Sequence, residues 1–195
     1  MLRRLAATAW VWGSTLLVAA GVLVACGGAH HAASPRAPET DPTTSVSVQD
    51  AKLAASDFRN IHTMTPVGDH FVTNVRDHLA QALAVARSPR GGDYPVGTII
   101  QLIPQEAMVK RRPGFSPSTN DWEFFSLDVS VHGTKILSRG GAQVLNRFGG
   151  SCASCHSAAA KQFDFVCGTN HGCAPLPIGP KVIAGIQAAD PRPLH

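Results

Sequence analysis

Trp122-Glu123-Phe124-Phe125-Ser126-Leu127-Asp128-Val129-Ser130-Val131 is the stretch on which the fold turns. Trp122, Phe124, Ser126 and Asp128 alternate with Glu123, Phe125, Leu127 and Val129. A period of two among aromatic and β-branched residues predicts a strand. The second set is apolar after Glu123, so it is expected to face the core. His132-Gly133-Thr134 reads as a turn, and Lys135 to Ser138 as the returning strand. Upstream, Val96 to Ile103 is β-branched and stopped by Pro104, Ala107 to Lys110 is a second short strand, and 113–120 is a polar turn region.

Helical signals flank this run. Val75, Leu79, Ala82, Leu83 and Ala86 recur at helical spacing, which predicts a helix over 71–87 capped by Thr73 or Asn74. Ser88-Pro89-Arg90-Gly91-Gly92 ends it. A short helix is expected over 48–59, capped by Ser45 or Ser47. Further helical turns are expected at 141–146, 151–160 and, opened by Pro180, Lys181 to Ala189. Helices around a run of antiparallel strands define an α+β fold class. No internal repeat is visible.

The chain has 195 residues with a formal charge of +4, and only 15% of its residues are charged. Arg3 and Arg4 supply two of those charges and no acid lies in residues 1–25, leaving +2 for the chain from Cys26 onward. There is no long Lys/Arg run and no aromatic-studded basic stripe, which argues against nucleic acid as a partner. Residues 5–25 are mostly apolar, broken at the centre by Gly13, Ser14 and Thr15, and run into Leu23-Val24-Ala25-Cys26-Gly27. Small residues before a cysteine resemble a bacterial lipobox, so 1–25 reads as a lipoprotein signal peptide and Cys26 as the lipidated residue. An uncleaved membrane-spanning helix is the alternative, since 21 such residues are long enough to span a bilayer. Either way the remaining chain is exported, to the periplasmic side or the cell surface, where disulfides persist. Residues 26–47 are rich in Gly, Ala, Ser, Thr and Pro and read as a flexible tether; His30 and His31 lie in it as solvated linker residues. The folded domain is expected over 48–195.

Five cysteines occur: Cys26, Cys152, Cys155, Cys167 and Cys173. Cys152-Ala153-Ser154-Cys155-His156 has the Cys-x-x-Cys-His pattern of c-type haem attachment. On a helix, positions i, i+3 and i+4 share one face. Both thiols can then reach the vinyl groups on one porphyrin edge, with the imidazole beneath the iron as proximal ligand. One haem c per chain is the cofactor so implied. A redox dithiol and a zinc site built from Cys152, Cys155, Cys167 and Cys173 are the competing readings. If lipid and haem take three cysteines, Cys167 and Cys173 remain as a small-loop disulfide. The motif lies late, with 39 residues after His156 and no methionine among them, unlike small electron-transfer cytochromes c. The sixth ligand is open among Met64, Met108, His62, His70, His78, His132 and His171. An open site lined by Phe115, Phe124, Phe125, Phe163 or Phe165 is the other option.

His62-Thr-Met64-Thr, Asp69-His70, Val72-Thr-Asn74, Tyr94-Pro-Val-Gly-Thr98-Ile-Ile100, Met108-Val-Lys110, Asp121-Trp-Glu-Phe124 and the haem motif follow in order. This series, over residues 55–170, resembles the cytochrome P-460 domain shared with the β-type cytochromes c′. The resemblance implies a twisted antiparallel sheet with helices, a haem c near the C-terminus, and a homodimer. Some members of that family oxidise hydroxylamine with a haem crosslinked to a lysine. Others bind small gases such as nitric oxide at an uncrosslinked haem. Gln101-Leu102 stands where many relatives have a lysine, leaving Lys110 as the central lysine. No carboxylate follows His156 until Asp164. The expectation is therefore a lipid-anchored haem protein that binds nitrogen-oxide ligands or transfers electrons to an unspecified redox partner. A hydroxylamine or nitric-oxide oxidoreductase is the alternative, and a haem-free lipoprotein held by zinc or a disulfide is the second.

Overall fold

Residues 49–194 of the computed structural model are described here. The expectations for residues 1–47, including Cys26, His30 and His31, lie outside them. The strand read at Trp122 is the longest of the sheet, Trp122–Ser130 (β5), and it returns through Val131-His132 into Gly133–Gly140 (β6). Before them run Thr65–Val67 (β1), His70–Asn74 (β2), Thr98–Gln101 (β3) and Glu106–Lys110 (β4). All neighbours pair antiparallel in the order β1-β2-β3-β4-β5-β6. Each strand lies beside its predecessor, which is why turns and short connections suffice for most of the meander. Among the described residues three short α-helices accompany the sheet: Leu79–Ala86 (α1), Cys152–His156 (α2) and Pro180–Ala188 (α3). The α+β class expected from the sequence is therefore the class observed.

β5 is buried on both sides, not one. Trp122 and Phe124 are 0% and 2% exposed, and so nearly are Phe125 and Leu127 at 0% and 1%. The register explains this. Val72 pairs with Ile100, Ile100 with Met108, and Met108 with Phe124, so these four form a row across one face. That row joins Ala82 of α1 and Cys152 and Ala153 of α2 in one apolar cluster. On the other face Ile99, Val109, Phe125 and Leu127 pack with Phe58, Ile61 and Met64. Phe58 meets Phe125 with ring centroids 4.7 Å apart. A strand apolar on both faces needs two covering layers, and here the segment before β1 supplies the second. After Ser126 the β5–β6 register shifts, so that Ser126 faces Ser138 but Leu127 faces Ile136. Leu137 is the extra residue of this bulge and stays 66% exposed.

The helix expected over 71–87 divides into β2 and α1. Asn74 is the reason: its Oδ1 accepts from the amides of Arg76 (2.7 Å) and His78 (3.2 Å), and Asp77 adopts φ 60°. This Asn-centred turn ends the strand and delays the helix to Leu79. The helix expected over 48–59 is only a 3-10 turn at Ala55–Asp57, closed by the Asp57 carboxylate on the Ala54 amide. No helix forms at 141–146; Val144 there is buried among the α2-side cluster. The helix expected over 151–160 stops at His156.

The corner around Phe58–Ile61 is fastened by residues 190–192. Asn60 Nδ2 donates to the carbonyl of Arg192, and Arg192 Nη1 donates to the carbonyl of Phe58 at 2.9 Å. Asp190 accepts from the Ile61 amide at 2.9 Å and from Arg192 Nη2 at 2.6 Å. Among the described residues no helix is long and apolar enough to cross a membrane.

Candidate haem-attachment site

α2 is placed by the turn that precedes it. Asn146 Oδ1 accepts from the amides of Phe148 (2.9 Å) and Gly150 (3.0 Å), folding 146–150 back on itself. The Arg147 amide donates to Glu106 Oε1 on β4 at 2.6 Å, and the Cys152 amide donates to the Val144 carbonyl at 3.0 Å. The helix therefore starts against the β4–β5 side of the sheet. Its single turn sets Cys152, Cys155 and His156 on one side. Cys152 is buried, Cys155 is exposed, and both are free thiols. Burial pushes the Cys152 thiol up to about 12, so it stays protonated.

His156 packs against Phe124, ring centroids 5.2 Å apart. Its Nδ1 donates to the carbonyl of Phe165 at 2.9 Å. A carbonyl can only accept, so this bond fixes the proton on Nδ1 and leaves the Nε2 lone pair for a metal. Burial lowers the imidazole pKa and the carbonyl bond opposes it, with burial the larger effect. The ring is kept neutral, the form that ligates iron. Two free thiols and one neutral, oriented imidazole are the donor set a haem c requires, and these residues fit it.

The Phe165 carbonyl is held by an unusual backbone. Asp164 (φ 50°) and Phe165 (φ 66°) are consecutive left-handed residues, each costing about 1 kcal/mol or more. Asp164 is enclosed completely, with 0% of its side chain exposed. Its Oδ1 accepts from Lys110 Nζ at 2.6 Å and from Asn120 Nδ2, its Oδ2 accepts from the Tyr94 amide at 2.8 Å, and its carbonyl accepts from Trp122 Nε1 at 2.6 Å. Burial pushes this carboxyl up, and the Lys110 ammonium pulls it back part of the way. Lys110 Nζ also donates to the Asn120 carbonyl at 2.8 Å and lies over the Trp122 ring. The sequence marks Lys110 and Asp164 only singly and carries no sign of Tyr94, Asn120 and Trp122 as partners of Asp164, because those contacts join residues 42 to 70 positions apart.

The residues considered for the far side of a haem fall on different parts of the fold. Met108 and His70 share the sheet face of Phe124. His70 is buried, with Nδ1 3.2 Å from Asp69 and Nε2 without a partner. His171 Nδ1 donates to the Val166 carbonyl at 2.8 Å, and the ring stacks on Phe163, centroids 3.7 Å apart. Met64 and Phe125 belong to the cluster on the opposite face. His62 meets the Gln187 carbonyl, His78 precedes α1 exposed, and His132 sits on the exposed β5–β6 turn. Phe115 lies under Arg111, while Phe165 packs on the α2-side cluster. Gln101 alternates onto the side of Ile99, away from Ile100, and its Nε2 donates to the carbonyls of Pro104 and Glu106.

Cys167 and Cys173 form a disulfide, as the cysteine count anticipated. This removes two thiolates from the four that the zinc reading needed. Among the described residues no three His, Cys, Asp or Glu side chains gather as a metal cage. No protein-family model, curated protein or solved structure matches the chain.

Proposed function

We propose that this chain is an exported, lipid-anchored mono-haem c protein of the cytochrome P-460 type, which binds small nitrogen-oxide ligands or passes electrons at its iron. Cys152 and Cys155 would carry the haem and His156 would be its proximal ligand. The observation that carries the reading is the His156–Phe165 hydrogen bond beside two free thiols on one helical turn. Attachment would need no oxidant: each S–H would add across one vinyl group, the sulfur bonding one carbon and the proton going to the other. When bound, the haem supplies an iron centre for ligand binding and one-electron exchange. The chain's own residues hold the imidazole neutral, aim it, and pack it against Phe124, the end of the apolar row that runs through Val72, Ile100 and Met108.

The oxidoreductase alternative needs a lysine free to crosslink. Lys110 is engaged by Asp164 and the Asn120 carbonyl, and position 101 is a glutamine directed toward the other face. Both features favour an unmodified haem. The test is the purified full-length holoprotein. A pyridine haemochrome assay is expected to show one haem c per chain, lost in Cys152→Ala/Cys155→Ala. The ferrous spectrum is expected to be that of an ordinary c-type haem and to change on adding nitric oxide. Absence of haem c would sink the proposal. A crosslink-shifted spectrum with hydroxylamine turnover would instead establish the oxidoreductase.

A further inference from the structure

The buried Lys110–Asp164 pair has no role in holding a haem directly, yet it lies one residue from the group that orients His156. We infer that Asp164, clamped by Lys110, is a positioning residue for the haem ligand: it fixes the left-handed 164–165 backbone that presents the Phe165 carbonyl to His156 Nδ1. The inference rests on the haem c reading above.

Three observations converge on it. Asp164 and Phe165 both occupy the left-handed region, at φ 50° and 66°, where side chains other than glycine are disfavoured. Such a conformation persists only where its surroundings over-determine it, and it concentrates at functional sites. The surroundings here are unusually complete. Asp164 receives hydrogen bonds from Lys110 on β4, Trp122 on β5, Asn120 in the preceding turn, and the Tyr94 amide. Every one of these donors belongs to the sheet or to loops entering it. The Phe165 carbonyl, the next acceptor along the chain, is the one that meets His156 at 2.9 Å. The line from sheet to ligand is therefore Lys110, Asp164, the 164–165 backbone, the Phe165 carbonyl and His156. A partner on the second nitrogen of a ligating histidine sets its orientation and raises its basicity. A clamp on that partner controls how firmly the imidazole is aimed and how strongly it donates to iron.

A merely structural ion pair makes a different prediction, and holoprotein spectroscopy separates the two. Asp164→Asn keeps the side-chain shape and tolerates a left-handed backbone but gives up the charge that Lys110 holds. Lys110→Met removes the clamp while leaving the Trp122 bond to the Asp164 carbonyl. Both variants should retain haem c by pyridine haemochrome and a native circular dichroism spectrum. In both, the iron–histidine stretch of the ferrous protein in resonance Raman should fall in frequency, and the reduction potential should rise, because a less basic imidazole stabilises ferric iron less. Lys110→Arg, which can still pair with Asp164, should restore most of both shifts. Folded, haem-loaded variants with unchanged stretch and potential overturn the inference. So does loss of folding in both variants, since the pair would then have no separate hold on His156. Absence of haem c from the unsubstituted protein defeats the functional reading itself, and is recognised before any variant is made.

Discussion

Arg139 grips Glu123 with two parallel hydrogen bonds, Nε to Oε1 at 2.7 Å and Nη2 to Oε2 at 2.9 Å. This is the polar member of the β5 side that the sequence marked as apolar. Arg111 Nη1 approaches the same carboxylate at 3.3 Å, and both Arg111 and Glu123 are nearly enclosed. Removing one partner of such a group strands the others without water. Glu123→Ala is therefore expected to lower stability by about 3–5 kcal/mol in urea unfolding. Arg139→Ala should cost less, because its own side chain is 38% exposed.

The two faces of β5 give a paired test. Phe124 and Phe125 are adjacent and equally buried, but Phe124 touches His156 and Phe125 touches Phe58. Either change to alanine should cost about 3–5 kcal/mol. Only Phe124→Ala should alter the visible spectrum of the holoprotein. A Phe125→Ala variant with an equally altered spectrum would contradict the assignment of the haem side.

The corner clasp should respond to acid. Burial would raise the Asp190 carboxyl, but the Arg192 guanidinium and the Ile61 amide outweigh it and hold it below the usual carboxylate range. A carboxyl whose folded pKa is depressed lends stability above its unfolded value, near about 3.9, and loses it as pH falls through the folded value. Asp190→Asn should melt well below the unsubstituted protein at pH 7. The gap between the two melting curves should close progressively below about pH 4. A gap that is constant across that range would mean the charge contributes nothing.

The disulfide closes a loop with a sequence separation of only 6. Loop-closure entropy for so short a span is worth about 2 kcal/mol. Cys167→Ser/Cys173→Ser should lose about that much in thermal or urea unfolding, and should keep its haem c content. Loss of haem from this variant would show that the 167–173 loop helps hold the cofactor.

Much of the central fold was legible because β3 to β6 alternate or are β-branched, and the turns between them carry proline, glycine or polar residues. The segment around β1 and β2 misled for a physical reason. Val75, Leu79, Ala82, Leu83 and Ala86 do recur at helical spacing, but an Asn74 side chain that bonds the backbone ahead of it keeps the helix from starting before Leu79. A better signal was present in Val67-Gly68-Asp69-His70: Gly68 adopts φ 60°, and Val67 pairs with His70 across a two-residue hairpin. At the site, Cys152, Cys155 and His156 announce themselves by spacing alone, since one helical turn is local. The Phe165 carbonyl does not, because backbone acceptors leave no mark in side-chain identity. Nor does the Lys110–Asp164 pair, 54 positions apart, whose meaning depends on strand register.

The clasp between Asn60 and Arg192 also sets an order of events. Its two halves are separated by 132 positions, and the whole meander and α2 lie between them. A chain synthesised from its N-terminus presents residues 58–61 long before their partners arrive. That corner must wait, with Phe58 and Ile61 guarded only by the sheet. The thiols of α2 emerge before it can shut. Every other element of the domain is therefore available before the corner that closes it.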